Sequence, residues 1–373
     1  MNVIIKELKA KKELKQFISF PYKLYKGNKY WIPPLKKDEF DILNKKKNPA
    51  FDFCDVKLWL AYENEKVVGR IVGIINHRYI EKWENKYARF GWIDFVDDEN
   101  VAKALLETVE KWAKENGMEA VHGPLGFTDL DQEGMLIEGF EELGTIATIY
   151  NYPYYSKHLE KYGYSKDVDW IEFEVKVPKK VPEKIERIAN IVKKKYKLTI
   201  LKTKSSKGLK PYAKEIFKVL NDAFEPLYGV VPLTEKQIEN YIKQYIGTIP
   251  HKYISIILDE SGKVGAFGIT MPSLSKAFQK ANGRLLPFGL IHILKALKHN
   301  NLVDLYLVAV RPDLQGKGVN TLIFKELIQI SIDNKIEKAE TNIELENNTK
   351  VQAQWKFFDR RQHKRRRCFI KHI

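Results

Sequence analysis

The same order of sequence patterns occurs twice along this chain, and a segment rich in proline and lysine separates the two occurrences. Each half predicts a strand, helices, a two-stranded hairpin, a strand, a helix, a strand, a helix and a last strand. The segment 178–182 cannot continue a strand, because Pro178 and Pro182 lack amide donors and the lysines between them stay hydrated. The 373 residues also exceed what one core usually organises. We therefore predict an α/β chain of two domains, 1–177 and 178–373, each with a mixed sheet and helices on its faces.

The individual elements follow from apolar spacing, proline, glycine and capping residues. In the first half they are a strand at 3–8, a helix at 12–25, hairpin strands at 57–62 and 67–75, a strand at 90–95, a helix that Asn100 caps and Gly117 ends, and a strand at 120–122. In the second half they are a strand at 198–201, helices at 211–224 and 235–246, hairpin strands at 253–258 and 264–271, a strand at 303–310, a helix at 320–333, a strand at 339–343, a helix at 351–359 and a strand at 368–373.

The loop that follows the predicted strand at 303–310 carries the clearest chemical signal. Gly316 and Gly318 allow the backbone to approach a ligand closely. A helix begins directly afterwards, and its free amide groups and positive dipole end suit a phosphate or pyrophosphate. The alternative is a plain strand-to-helix turn that needs glycine only for its dihedral angles.

This loop resembles the pyrophosphate loop Gln-x-x-Gly-x-(Gly/Ala) of the GNAT (Gcn5-related N-acetyltransferase) superfamily, and residues 346–348 resemble the asparagine turn before that family's next helix. The resemblance implies two tandem GNAT-like folds and an acyl-CoA substrate such as acetyl-CoA bound by the C-terminal copy. We expect no metal, because the two cysteines match no metal-ligand spacing. The cofactor-binding residues that the resemblance implies are Val308, Val310, Gln315, Gly316, Lys317, Gly318, Val319, Asn320, Thr321 and Asn348. Asn320 stands where the family prefers glycine or alanine, and it could cap the helix. Trp355 stands where many members place a tyrosine that protonates the departing thiolate.

Acyl transfer to an amine requires a group that removes a proton from the attacking nitrogen. Counting back from Gln315, Asp304 falls where the histone-acetylating members of the resembled family place a glutamate base. Strand alternation puts Asp304, Tyr306 and Val308 on one face, so we predict Asp304 as the base and Tyr306 as a proton relay. The alternatives are an exposed carboxylate that begins the strand and a tyrosine that packs in the core.

The first half carries a weaker resemblance to the same family. Asn151 and residues 159–164 are similar to the family's Asn…Tyr-Glu-Lys-Leu-Gly-Phe ending. The expected loop position, 96–100, has no glycine and three acids, which would repel a pyrophosphate. We therefore expect the first copy to lack a coenzyme A site and to shape the acceptor site or the fold.

An acidic, glycine-rich loop at 123–134 is long for a compact domain and could hold an amine acceptor. Alternatively, Asp129 and Asp131 only cap turns. His122 and His158 show no metal-ligand spacing, and we expect structural roles for them.

Two basic segments stand out in a chain with a net charge of +16. Residues 275–300 contain lysines and an arginine but no acid around an apolar centre, a composition that could lie on an anionic membrane or cover a long acyl chain. The alternative is a helix packed on the sheet with its lysines outside. Residues 360–367 predict either a phosphate-contacting patch or a solvated turn before the last strand.

Together these features predict an acyl-CoA-dependent N-acyltransferase that acts on a small-molecule or lipid amine. A binding or regulatory protein without turnover, and an aminoacyl-tRNA-dependent transferase of the Fem type, are the alternatives. We expect no other nucleic-acid partner, because no zinc-finger, RRM or basic-zipper pattern is present. With Cys54 and Cys368 as the only cysteines and no secretion signal, we expect a cytoplasmic protein that contacts the inner membrane face peripherally.

Overall fold

A computed structural model of the chain describes residues 3–245 and 247–373. The α/β class is confirmed: fourteen strands of the described residues form one mixed sheet, and helices pack on both of its faces. Ile246, the last residue of the helix predicted at 235–246, lies outside the described residues. None of the described helices is long and apolar enough to cross a membrane.

The first half follows the predicted order of elements. Its strands are β1 (Ile4–Glu7), β2 (Cys54–Glu63), β3 (Lys66–Asn76), β4 (Tyr87–Phe95), β5 (Ala120–Gly123), β6 (Met135–Glu138) and β7 (Ser165–Lys176). Its helices are α1 (Lys11–Leu24), α2 (Lys36–Ile42), α3 (His77–Trp83), α4 (Glu99–Glu115) and α5 (Tyr154–Lys161). The cap of α4 is Asp98, whose carboxylate accepts a bond from the Asn100 amide at 2.7 Å, so the prediction of Asn100 as the cap is wrong.

The second half repeats the order. Its strands are β8 (Thr199–Ile200), β9 (Ile254–Leu258), β10 (Val264–Pro272), β11 (Leu302–Val310), β12 (Lys338–Thr341), β13 (Glu344–Leu345) and β14 (Arg360–His372). Its helices are α6 (Glu183–Lys195), α7 (Ala213–Phe224), α8 (Glu235–Tyr245), α9 (Ser275–Ala281), α10 (Gly289–Lys298), α11 (Asn320–Asp333) and α12 (Thr349–Gln352), which a short 3₁₀ helix, Ala353–Phe357, continues. The sequence patterns missed α6, although Ile185, Ala189 and Val192 have helical spacing and are buried.

The two halves exchange their last strands within this sheet. The strand order is β1-β2-β3-β4-β5-β14-β7-β12-β11-β10-β9-β8. Strand β14, the end of the chain, pairs with β5 of the first half, and β7 of the first half pairs with β12 of the second. Strands β14 and β7 also pair with each other in antiparallel register. Neither half therefore has a complete sheet of its own.

The prediction of a solvated turn at 360–367 is wrong, because the segment forms most of β14, and contact of this segment with a phosphate stays a prediction. Lys364 and Arg366 are buried there rather than solvated. Arg366 contacts Glu172 of β7, and Lys364 contacts Glu340 of β12. The chain can bury these cations because carboxylates on the neighbouring strands neutralise them.

Candidate functional site

A cavity of about 1730 Å³ lies between the two halves. The first half contributes Tyr25, Trp31, Trp92 and the acidic loop, and the second contributes β11, the glycine loop and the end of α8. The volume exceeds the ~300–1,000 Å³ of most small-ligand pockets. The cavity therefore has room for a ligand with long flexible parts.

One wall of the cavity includes a gap between two parallel strands. Strands β11 and β12 pair from Leu302↔Lys338 to Leu305↔Thr341. Asn342 then donates its amide to the Leu305 carbonyl at 3.1 Å and its Nδ2 to the Tyr306 carbonyl at 3.2 Å, and beyond Tyr306 the cavity lies beside β11. Residues 305–310 of β11 line the cavity. A strand edge without a neighbour offers amide and carbonyl groups to a ligand, so this edge is a ready partner for an extended amide-containing chain.

A β-bulge in β11 changes which side chains share a face. Thr270 pairs with Leu305 and Ile269 pairs with Leu307, which leaves Tyr306 without a partner on β10. Val303 packs in a cluster with Phe324 of α11, whereas Val308 packs with Ile323 of the same helix. Odd-numbered residues face α11 before the bulge and even-numbered residues face it afterwards. The prediction that Asp304, Tyr306 and Val308 lie on one face is therefore wrong: Asp304 and Val308 are on opposite faces.

The glycine loop joins the end of β11 to the start of α11. Gly316 and Gly318 have φ angles of 71° and 79°, which favour glycine. A Cβ atom at Gly316 would meet nothing within 4 Å, whereas one at Gly318 would meet Val192 of α6 at 3.3 Å. Asn320 does not cap α11; its side chain donates to Gln354 at 3.0 Å and so ties the loop to the α12 region.

Most of the residues predicted to bind the cofactor do line this cavity. They are Val308, Val310, Gln315, Gly316, Gly318, Val319, Asn320 and Asn348. Lys317 is exposed and lies over the ring of Tyr196, and Thr321 donates to the Gly318 carbonyl at 2.6 Å. Asn348 caps α12 through the Val351 amide at 3.4 Å. The structure thus gathers one loop, one strand edge and one helix cap at the same wall.

The predicted base, Asp304, is buried away from the cavity surface, and the predicted relay, Tyr306, is part of the cavity wall. Asp304 does not line the cavity, and neither of its carboxylate oxygens has a hydrogen-bond partner among the described residues. Burial, together with the nearby Glu340, raises the pKa of Asp304 to about 8. Tyr306 lines the cavity, and its buried hydroxyl also lacks a partner in the described part of the chain. Asp304 is therefore not the exposed carboxylate of the alternative interpretation. Tyr306 is not confined to the core, because it lines the cavity.

Glu344 is a cavity carboxylate that the sequence patterns did not single out. Its Oε1 accepts a bond from the indole of Trp355 at 2.7 Å, and its Oε2 is buried without a partner among the described residues. Burial raises the pKa of Glu344 to about 7, although the Trp355 bond opposes this effect. A carboxyl that titrates near neutral pH can both accept and return a proton. The signal that could have identified it is an acidic residue three positions after the end of β12, the strand that runs parallel to β11.

The chain itself fills the corresponding gap in the first half. Strands β4 and β5 pair only from Tyr87 to Arg89, and β4 bulges near Trp92, as β11 does near Tyr306. Here the Leu125 amide donates to the Phe90 carbonyl at 2.9 Å, and a Cβ atom at Gly91 would meet the Leu125 carbonyl at 2.5 Å. A ligand cannot enter a gap that the backbone already occupies.

The acidic loop at 123–134 has carboxylates of two kinds. Asp131 accepts bonds from the Phe127 and Thr128 amides at 2.9 and 3.0 Å, so it stabilises a turn as the alternative prediction expected. Asp129 and Glu133 also line the cavity. Burial raises the pKa of Asp129 to about 6 and that of Glu133 well above its ordinary value, to which the neighbouring Asp129 also contributes.

Two clusters of potential metal ligands lie outside the glycine-loop wall. His122, Asp167 and Cys368 bring one ligand atom each within 4.8 Å of one another. The hydroxyl of Tyr228 lies among them, bonded to Asp167 and 3.1 Å from His122 Nδ1. Glu172, Glu340 and His363 form the second cluster, beside Lys364 and Arg366. In the second cluster Glu172 pairs with Arg366 and Glu340 pairs with Lys364, whereas both ring nitrogens of His363 are buried without a hydrogen-bond partner among the described residues. His158, which was also expected to be structural, belongs to neither cluster, and its Nε2 lies 2.7 Å from Oδ1 of Asp97.

Comparisons with known proteins agree with this architecture. Protein YghO of Escherichia coli (strain K12) is 28% identical over 380 residues, which cover 99% of this chain and 95% of YghO. A bacterial ceramide synthase of Caulobacter vibrioides (strain NA1000 / CB15N) is 26% identical over 292 residues, which cover 78% of this chain and 75% of the synthase. A tandem GNAT protein from the clavulanic acid biosynthesis pathway superposes with a TM-score of 0.57 at 11% identity, covering 100% of this chain and 98% of that protein.

No protein-family model matches the chain. The structural likeness nevertheless confirms the fold: two GNAT folds lie in tandem along the chain, as the sequence predicted.

Proposed function

We propose that this chain is an acyl-CoA-dependent N-acyltransferase and that its acceptor is an amine with a long aliphatic chain. The observation that carries the proposal is the gap between β11 and β12, which opens beside the glycine loop into a cavity shared by both halves. The ceramide synthase relative, whose name describes the formation of a lipid amide, supports the choice of acceptor. Acceptor and acyl donor are inferences from this likeness and from the cavity.

The second half provides the features that an acyl-CoA substrate requires. The start of α11 and the loop before it offer free amide groups for a pyrophosphate, and the open space at Gly316 leaves room for it. The pantetheine arm, which contains two amides, would extend along the edge of β11 from Leu307 to Ala309, since the side chains of Asn342 and Gln315 already donate to the Tyr306 and Val310 carbonyls. Its thioester would then lie near Glu344, at the wall where β12 ends. The filled gap of the first half favours a single coenzyme A site.

The first half provides features that suit an alkylammonium acceptor. Asp129 and Glu133 face the cavity, and an ammonium group beside them would stabilise their ionised forms. Apolar and aromatic side chains make up much of the remaining wall, including Leu227, Leu285 and Phe278. Such a wall is suited to aliphatic chains.

Glu344 is the carboxyl that best fits the proton transfers of the reaction. The acceptor first loses one proton to solvent and attacks the thioester carbon as a neutral amine, which forms the C–N bond. Glu344 then removes the second N–H proton and delivers it to the coenzyme A sulfur as the C–S bond breaks. The products are an amide and a free thiol. Asp304 remains the alternative base, but it does not line the cavity and would act through Tyr306.

The experiment combines ligand-dependent stability with turnover. Thermal unfolding is measured with coenzyme A, acetyl-CoA and palmitoyl-CoA, because a ligand that binds only the folded state raises the unfolding temperature as its concentration rises. Gly316→Glu places a carboxylate in the open space of the loop without a steric clash. Gly262→Glu is the matched control, since Gly262 also has a positive φ of 78° and open space but lies in the β9–β10 turn, away from the cavity.

We expect stabilisation of the wild type and the Gly262→Glu variant, loss of stabilisation in Gly316→Glu, and acylation of a long-chain amine by the wild type. Equal stabilisation of both variants would reject the assigned loop. Binding without acylation of any amine would favour a regulatory protein, and binding of aminoacyl-tRNA alone would favour a transferase of the Fem type.

A further inference from the structure

The connection between β10 and β11 exposes an unusually large apolar surface, which we call the α10 face. It comprises residues 284–298, the segment that leads into α10 and α10 itself. Leu286, Phe288 and Ile291 are 70%, 68% and 59% exposed, and Leu294 is 56% exposed. Most of the large exposed apolar side chains among the described residues belong to this segment. Contiguous exposure of this kind marks a contact surface in a folded protein.

Helix α10 does not pack on the sheet as a typical amphipathic helix would. Gly289 is its one buried residue. By contrast, the preceding helix α9 buries Ser275, Ala277 and Ala281. The apolar side chains of α10 therefore gain little from the fold of the chain itself, and burial against another surface would stabilise them.

Only cations accompany this apolar surface. Residues 275–300 contain no Asp or Glu, and Lys276, Lys280, Arg284, Lys295 and Lys298 are all exposed. A protein partner would have to neutralise this charge with a matching acidic rim. A bilayer with anionic headgroups supplies the negative charge and the apolar layer together.

The α10 face is also continuous with the cavity. Leu285, Leu290 and Ile293, from the same segment, line the cavity wall. The segment is fixed to the first half, because the Lys36 amide donates to the Gly283 carbonyl at 3.1 Å. A Cβ atom at Gly283 would lie 2.4 Å from the ring of Tyr22, so only glycine allows this close contact. A surface that covers α10 would therefore lie beside the cavity.

We propose that the α10 face docks on anionic phospholipid bilayers and brings the cavity to the membrane surface. Leu286, Phe288 and Ile291 insert among the acyl chains near the headgroups, while Lys295 and Lys298 contact the anionic headgroups. A lipid acceptor then passes between bilayer and cavity along Leu285, Leu290 and Ile293 without crossing water.

Vesicle sedimentation of the full-length protein tests this proposal without any substrate, so the result does not depend on the proposed activity. The probes are vesicles of phosphatidylcholine alone and of phosphatidylcholine mixed with phosphatidylglycerol. The test variants are the triple variant Leu286→Ser, Phe288→Ser, Ile291→Ser and the double variant Lys295→Gln, Lys298→Gln. Ile191→Ser is the matched control, because Ile191 is 57% exposed on α6, outside the α10 face.

We expect binding to the anionic vesicles to fall about a hundredfold in the triple variant and about tenfold or more in the double variant, with Ile191→Ser unchanged. Raising the ionic strength from about 0.1 to about 1 M should weaken binding of the wild type, because it shortens the screening length from about 10 to about 3 Å. Circular dichroism and urea unfolding verify that the variants fold. Absence of vesicle binding by the wild type, or equal binding by the triple variant, would overturn the proposal. A dimer in sedimentation velocity that the triple variant dissociates, without vesicle binding, would instead assign the α10 face to a second copy.

Discussion

Replacing Arg366 by methionine should destabilise the whole chain, because Arg366 neutralises a fully buried carboxylate where the exchanged strands meet. Its Nε lies 2.5 Å from Oε1 of Glu172, and the two side chains are 1% and 0% exposed. The remaining cation near Glu172, Lys364, is 3.7 Å away and also contacts Glu340. Breaking a buried pair by removing one partner costs about 3–5 kcal/mol. The unfolding equilibrium constant should therefore rise by about a hundred- to several-thousandfold.

The pH dependence of this loss follows from Glu172. Burial raises the pKa of Glu172, but the Arg366 and Lys364 charges outweigh burial in the wild type and hold the pKa below its ordinary value. Without Arg366 burial dominates, so the folded-state pKa should rise above the unfolded value. The protonated carboxyl is then tolerated at low pH, and stability falls as the pH rises through the folded-state pKa. The destabilisation should thus be smaller at about pH 5 than at about pH 8.

Urea unfolding followed by tryptophan fluorescence measures both effects. Arg361→Met is the matched control on the same strand, since Arg361 pairs with Glu142 at 2.6 Å but is 49% exposed, and such surface pairs contribute at most about 1 kcal/mol. The double variant Arg366→Met, Glu172→Leu should recover most of the stability, because no uncompensated charge remains. If Arg366→Met costs no more than Arg361→Met, or if its cost is the same at both pH values, the ion-pair reasoning is wrong.

Two further predictions concern the proposed reaction. Glu344→Gln should keep acyl-CoA binding, lower kcat by about 10²-fold and abolish a rise in rate that the wild type shows near pH 7. Trp355→Phe should move that rise to higher pH, because the hydrogen bond from the indole lowers the pKa of Glu344. A rise near pH 8 that Asp304→Asn abolishes would assign the base to Asp304 instead. Glu133→Gln should raise the KM of the amine by about tenfold, since hydrogen bonds to charged groups contribute about 1.5–3 kcal/mol, and should leave acyl-CoA binding unchanged. An unchanged KM in Glu133→Gln, or the same increase in Glu138→Gln, whose carboxylate is 61% exposed, would contradict this role.

Local patterns predicted the parts of the structure that local forces determine. The strand, glycine loop and helix from β11 to α11 lie within one short stretch, so residues close in sequence determine their dihedral angles and packing. No local sequence pattern predicts the bulge at Tyr306, because the bulge depends on how β10 pairs with β11. For this reason the predicted face of Asp304, Tyr306 and Val308 was wrong.

Long-range contacts explain two further errors, at the basic segment and at Glu344. The segment 360–367 has the composition of a solvated surface, and the Glu172 that neutralises Arg366 lies 194 positions away in the sequence. Glu344 was missed for a similar reason, since its raised pKa depends on burial by the tertiary fold and on the Trp355 side chain. The boundary after residue 177 remains a prediction, and the exchanged strands make each half dependent on the other.

The exchanged strands also affect folding during translation, because the ribosome makes the strands one after another. Strand β14 is made after all the other described strands, yet β5 and β7 of the first half both pair with it. While the second half is still being translated, the first half has an open strand edge at β5, and open edges invite pairing with other chains. The nascent protein therefore passes through a stage in which the first half has been made but its sheet is still open, and the synthesis of β14 allows both halves to be completed together.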